Sequence, residues 1–148
     1  MDVEQAFSFW LDRTSRMMKL FASKKAYELK LGITIDQWVI LAMIGARENI
    51  TQSELCERSF KDKASVARIS DILEKNKLIK RLRNPQNRRE YQIRCTELGK
   101  AKIAALLPYV IEARKIGIAG FQEKELQILV SFLKRIYENY NNALHENG

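Results

Sequence analysis

Apolar and polar positions alternate with a clear helical period from the start of the chain. Val3, Phe7, Trp10, Thr14, Met17 and Phe21 recur at three- and four-residue steps, which predicts one face of a long helix over residues 2–31. Gly32 falls where a left-handed cap would end that helix. Thr34-Ile-Asp-Gln37 has the form of a capping box, in which side chains satisfy the free amides of a helix start. The helix it opens, to about Arg47, is apolar almost all round, as expected of a helix in the middle of a core. A second capping box, Thr51-Gln-Ser-Glu54, opens a short helix to about Ser59. Phe60 and Lys61 leave room for a tight connection only. Asp62 then caps a helix from Lys63 to about Asn76, with Val66, Ile69, Ile72 and Leu73 inward. Two short helices so closely joined predict a helix-turn-helix.

The period then changes from helical to two-fold. Residues 78–83 and 90–95 read as two strands, the second with Tyr91, Ile93 and Cys95 on one face. Asn84-Pro-Gln-Asn87 supplies turn residues between them, so the pair forms a hairpin with a projecting tip. Thr96 caps a further helix through Ile103, Leu106, Leu107, Val110 and Ile111. Pro108 falls inside it and should bend it or loosen one turn. Gly117 and Gly120 mark its end. A last helix, residues 123–144, carries Leu126, Leu129, Val130, Leu133, Ile136, Tyr137 and Tyr140 as an apolar stripe. The expected fold is mainly α with a small β-hairpin wing: a winged helix-turn-helix over residues 33–96, flanked by outer helices in 1–31 and 97–145. These lie within one 148-residue domain, a length sufficient for a core without disulfides or metals. The outer helices carry more apolar surface than so small a module would use, and a two-fold dimer is the commonest way to cover such stripes.

Charge sharpens the picture. The net charge is +8, and the segment from Lys61 to Lys102 holds thirteen Lys or Arg against five Asp or Glu, while the remainder is balanced. A basic excess confined to one block marks a polyanion site. Its densest part, residues 81–94, reads RLRNPQNRREYQIR, with five arginines. An arginine at the tip of a protruding hairpin can enter the minor groove, where the potential is most negative, and neighbouring cations can hold phosphates. On the helix from Lys63, the small residues Ala64, Ser65 and Ala67 permit close approach to a major groove, and Arg68 is long enough for a bidentate contact to guanine. The candidate DNA-binding residues are therefore Thr51, Gln52, Lys63, Ser65, Arg68, Lys80, Arg81, Arg83, Arg88 and Arg89.

Catalytic chemistry is poorly served. The single histidine, His145, lies in the terminal stretch, and no Cys-His pair, Gly-rich phosphate loop, HExxH or CxxC spacing occurs. No enzyme activity, metal or cofactor is expected. Cys56 reads as a small core residue; the cations beside Cys95, such as Arg94, could lower its thiol pKa, but Cys95 too reads mainly as a structural residue. Two cysteines without a disulfide framework favour a reducing, cytoplasmic setting. The first residues, MDVEQAF, do not read as a signal peptide. The longest apolar run, residues 38–46, is too short to span a bilayer.

Several words of the sequence, in this order and spacing, resemble the MarR family of winged-helix transcriptional regulators. They are TIDQWVIL, TQSELCERSF, KASVARISDILEKNKLIKR, NPQNRREYQI and CTELGKA, beside the family patterns "stvtrlvdrLe", "GLi.R", "DP.DRR" and "LTe.G". The resemblance implies that residues 63–76 form the recognition helix and residues 84–90 the wing. It matches Arg89 to the arginine placed in the minor groove, and Ser65 and Arg68 to positions facing the major groove. It implies a homodimer on an inverted-repeat site in double-stranded DNA, acting as a repressor relieved by a small aromatic or phenolic effector. This chain has Asn87 in place of the wing aspartate, which removes a charge that could orient Arg89. It has Lys77 in place of a glycine before the first strand, leaving Asn76 as a candidate cap, and Cys95 in place of a leucine. No cysteine stands in the first helix, which disfavours a peroxide sensor of that type. A second reading is a small-molecule sensor whose DNA binding is secondary or lost, with Trp10, Met17 and Trp38 as weak candidates for a pocket, although core packing explains them more simply. A third is RNA or protein recognition, for which the basic block offers few exposed aromatic residues beyond Tyr91.

Overall fold

The computed structural model describes residues 2–145. A short 3-10 turn, Val3–Gln5, precedes α1 (Phe7–Glu28). There follow α2 (Ile35–Gly45), β1 (Ile50–Thr51), α3 (Gln52–Ser59), α4 (Lys63–Lys75), β2 (Ile79–Arg83), β3 (Tyr91–Cys95), α5 (Glu97–Gly117) and α6 (Glu123–His145). The chain divides after Ala113 into two compact units.

In the first unit, the helix starts are fixed by the side chains the sequence singles out. Thr34 and Gln37 form a reciprocal capping box on α2, and Thr51 and Glu54 do so on α3. Asp62 accepts the Ser65 amide at 2.8 Å at the head of α4. Each such cap satisfies amides that have no partner within the helix and stabilises it by about 1 kcal/mol. Between them, α2, α3 and α4 bury Ile40, Leu41, Ile44, Leu55, Val66, Ile69 and Leu73 in one core, closed from the other side by Leu78, Ile79, Ile93 and Cys95. Each fully buried Leu or Ile contributes roughly 1.5–3 kcal/mol relative to exposure. A second cluster gathers Ala26 of α1, Leu31 of the turn after it, Trp38 of α2 and Leu106 of α5.

The sheet has three strands, in the order β1-β3-β2 and antiparallel throughout. The hairpin is where the sequence places it, but β1 is an addition. Ile50 pairs with Ile93 and Thr51 with Gln92, so the residue that caps α3 also sits on the sheet. This ties the start of the helix-turn-helix to the wing. Tyr91 does not join the buried face of Ile93 and Cys95: it is 56% exposed at the far end of β3, beyond the reach of the core. Pro108 lies within α5, which continues through it as one helix.

Two close features explain residues that a pattern alone leaves bare. A Cβ on Gly99 would lie 2.2 Å from the Leu78 carbonyl oxygen, so α5 can pack against the start of β2 only with glycine there. The end of α4 is a Schellman turn, with the Lys77 amide on the Glu74 carbonyl and the Leu78 amide on the Leu73 carbonyl, at 2.8 and 2.9 Å. The left-handed residue of that turn is Lys77, with φ +59°. Asn76, the candidate from sequence, remains at φ −81°. A side chain in the left-handed region is strained where glycine is not. Lys77→Gly is therefore expected to stabilise the fold by about 0.5–1 kcal/mol, read as a higher urea midpoint with an unchanged m-value.

The second unit holds the end of α5 and all of α6. Gly120, at φ +86°, makes the turn before α6, and the Gln122 amide donates to the Glu125 carboxylate at 2.8 Å at its head. Along α6, Leu129, Val130, Leu133 and Tyr140 are all substantially exposed in the single chain. In the first unit, Phe7, Trp10, Met17, Met18 and Phe21 of α1 are equally bare. Among the described residues no helix is long and apolar enough to cross a membrane.

Candidate nucleic-acid interface

The head of α4, the start of α3 and the wing converge on one groove. Gln52, Ser53, Cys56, Lys63, Arg81, Asn87, Arg89 and Tyr91 are among the residues that line it, and its volume is about 620 Å³. Asp62 caps the first turn of α4. The Ser65 hydroxyl donates to the second Asp62 oxygen at 2.7 Å, and these bonds hold the Asp62 carboxyl below its ordinary pKa, the Ser65 side chain first and its backbone amide second. Ser65 thus spends its hydroxyl proton on the cap. Lys63 and Arg68 are exposed, and their side chains have no hydrogen-bond or ion-pair partner among the described residues.

The wing is held by its asparagines. Asn84, buried, accepts the Gln86 amide at 3.0 Å. Asn87 accepts the Arg89 amide at 3.1 Å, and its carbonyl takes the Glu90 amide at 3.1 Å. The neutral Asn87 therefore closes the tip turn through its amide oxygen, and it fixes the backbone of Arg89 rather than its guanidinium. Arg83, Arg88 and Arg89 all present exposed side chains that have no partner among the described residues.

Arg81 differs from its neighbours. Its guanidinium bridges Asp71, at 2.7 Å, and Glu74 of α4. Burial opposes its charge, but the hydrogen bond to Asp71 and the two carboxylates more than offset this and raise its pKa. Arg81 joins α4 to the wing, and its guanidinium is taken up by two carboxylates where the sequence suggested a phosphate. Lys80, on the opposite face of β2, lines a different concavity. Thr51 caps α3, its hydroxyl accepting the Glu54 amide at 3.2 Å. The structure thus brings Gln52, Lys63, Arg81 and Arg89 to one groove, with Arg68 exposed further along α4 and Lys80 elsewhere.

The remaining candidates fall in different environments. Trp38 is 7% exposed among Ala26, Leu31 and Leu106, and its indole N–H has no partner among the described residues. Trp10 and Met17 are exposed on α1, and the Trp10 indole donates to the Glu4 carbonyl at 2.8 Å. His145 is the last residue of α6. Burial pushes the Cys95 thiol pKa up, the reverse of what its cationic neighbours suggest in sequence. Cys95 faces the core, whereas Arg94, next in the strand, faces outward.

A helix-turn-helix braced by a three-stranded sheet with an arginine-tipped hairpin defines a winged-helix protein. The model of the MarR family matches residues 33–91. The chain is 31% identical over 123 residues to an HTH-type transcriptional regulator, YdcH, of Bacillus subtilis, covering 76% of this chain and 84% of that one. A crystal structure of MarR superposes with a TM-score of 0.76 at 25% identity, over 99% of this chain and 98% of that one. A MarR family regulator from Listeria monocytogenes, solved with a 26mer DNA, superposes with a TM-score of 0.82 at 24% identity, over 91% and 89% of the two chains. The chain belongs to the MarR family of transcriptional regulators, and it is a regulator rather than an enzyme.

Proposed function

We propose that the chain is a homodimeric repressor that reads an inverted repeat in double-stranded DNA. The observation that carries this reading is the groove between α4 and the wing, with four unpaired cations, Lys63, Arg68, Arg88 and Arg89, on the two elements beside it. The solved DNA complex of the Listeria monocytogenes regulator, with its similar fold, supports it. Residues 33–96 form the DNA-reading part. The head of α4 enters the major groove with Arg68 toward a base edge, and Gln52 and Lys63 hold the backbone beside it. Arg89 at the wing tip reaches the minor groove, and Arg83 and Arg88 hold phosphates. Arg81 acts by keeping the wing at a set angle to α4. The helices of residues 1–31 and 97–145 pair with a second copy, which covers their apolar faces.

An aromatic acid relieves repression in this reading. A cavity of about 780 Å³ runs between the end of α1 and the start of α2 and reaches Ile72 of α4. Its walls include Ala26, Leu31, Ile33 and Ile35, with Lys30 available to a carboxylate. A ligand there touches an outer helix and the recognition helix together.

Selection from a pool of random duplexes at physiological salt tests the reading. Enrichment of an inverted repeat with half-sites about one helical turn apart is expected. Salt-sensitive binding without any enriched sequence would remove base reading from the proposal. Quenching of tryptophan fluorescence by aromatic acids, together with an absence of duplex binding, would favour a sensor that has lost its DNA role.

A further inference from the structure

The basic block that reads as one segment in sequence is divided by the sheet into two faces. Because side chains alternate along a strand, Arg81 turns toward α4 while Lys80 turns away. Lys80 stands directly opposite Arg94 in the β2–β3 register. With Arg47, Glu48, Thr96 and Lys100, these two line a separate concavity of about 760 Å³. We propose that this concavity binds the phosphate group of a small phosphorylated compound.

The arrangement of charge carries the assignment. Like charges directly opposite each other on a sheet are destabilising, and here the pair is kept on an open face with two further cations beside it. The guanidinium groups are anchored by neutral oxygens. Arg94 donates to the Glu48 carbonyl at 3.2 Å and to the Asn49 side chain at 3.0 Å. Arg47 donates to the Met43 carbonyl at 3.0 Å. Both are therefore oriented with their charge uncompensated by those bonds and with donors to spare. The Lys80 ammonium has no hydrogen-bond or ion-pair partner among the described residues. Lys100 is held by Glu97 at 2.7 Å, and Glu48 is the other carboxylate of the lining, so cations exceed anions around the cavity. Two oriented forks and an unpaired ammonium suit an oxyanion with several acceptors. A concave wall favours a compact ligand over the convex backbone of a duplex. The site lies on the face of the sheet opposite Arg81, so the inference does not depend on the DNA reading.

Calorimetric titration of the full chain with inorganic pyrophosphate, at ionic strength held constant with potassium chloride, tests this. A saturable heat is expected, weakened about tenfold or more by Lys80→Gln and by Arg94→Gln, and unchanged by Arg88→Ala/Arg89→Ala. Lys80 is exposed and its substitution leaves the fold intact, so the test stands even if Arg94→Gln, which loses the bonds to Glu48 and Asn49, proves unstable. Four outcomes would overturn the proposal. One is a non-saturating heat. Another is equal affinity in Lys80→Gln. A third is loss of binding in the Arg88→Ala/Arg89→Ala variant, which would put the anion at the wing groove. The last is a Lys80→Gln variant that binds duplex DNA less tightly but pyrophosphate normally, which would assign this phosphate contact to the nucleic acid.

Discussion

The double substitution Leu129→Glu/Leu133→Glu in α6 is expected to leave the chain folded but monomeric, and to weaken its binding to an inverted-repeat duplex by a factor on the order of 10²–10⁴. Both leucines are exposed in the single chain, at 44% and 38%, on a helix whose apolar stripe also includes Val130 and Tyr140. Monomeric proteins seldom leave contiguous apolar patches of more than a few hundred Å² in water, and a stable interface buries about 1,200–2,000 Å² in all. In the proposed dimer, glutamate at these positions places four charges in an apolar contact, two from each copy. Because neither leucine lies in the buried clusters of the winged helix, the substitution spares the core. The effect on DNA follows from linkage. In a dimer, the second recognition helix meets its half-site at an effective concentration near millimolar, and a monomer forfeits that advantage. Sedimentation equilibrium and anisotropy titration read the two effects separately. A variant that remains dimeric would remove α6 from the interface, and one that is monomeric but binds as tightly as before would show that each copy reads DNA alone.

The parts legible in sequence are those set by local chemistry. The capping boxes of α2 and α3 and the Asp62 cap of α4 are each encoded within four residues, and all three form as read. The apolar steps of α4 place Val66, Ile69 and Leu73 in the core because a 3.6-residue period needs no knowledge of partners. The strand β1 was not legible. It is two residues long, and it exists only through pairing with β3 some forty residues later. The placing of Lys80, Arg81 and Arg83 together on one surface also gives way, for two reasons. The pleat sends Lys80 and Arg81 to opposite faces, and Asp71 and Glu74, ten and seven residues earlier, present carboxylates to Arg81. Charge density in a sequence records neither alternation nor long-range partners. The Lys77 turn shows a related limit. The six-to-one bond from Leu78 to Leu73 imposes a left-handed residue, so lysine takes the glycine's conformation without the glycine's ease. Gly99 is the reverse case, a residue of the "LTe.G" pattern whose reason is a backbone approach visible only in three dimensions.

Arg89→Ala is expected to weaken duplex binding by about 10–100-fold, or roughly 1–3 kcal/mol, and to reduce the slope of log K against log salt concentration by about 0.9. The guanidinium is exposed at the wing tip with no partner to release first, and the Asn87 side chain and carbonyl hold the turn that projects it. Binding therefore requires little ordering of the tip backbone, and the lost interaction is felt nearly in full. The narrow groove concentrates negative potential at the point an arginine tip reaches, so the cation counts for more there than on an open phosphate. Arg68→Ala separates the two kinds of contact. On α4, loss of a bidentate guanine contact should relax base preference at one position of each half-site, while the salt slope changes less than in Arg89→Ala. Anisotropy titrations of both variants between 50 and 200 mM salt, on the selected site and on a duplex altered at one base pair, distinguish them. An Arg89→Ala protein with unchanged affinity and slope would take the wing off the DNA. An Arg68→Ala protein that loses overall affinity but keeps its base preference would make Arg68 a phosphate contact.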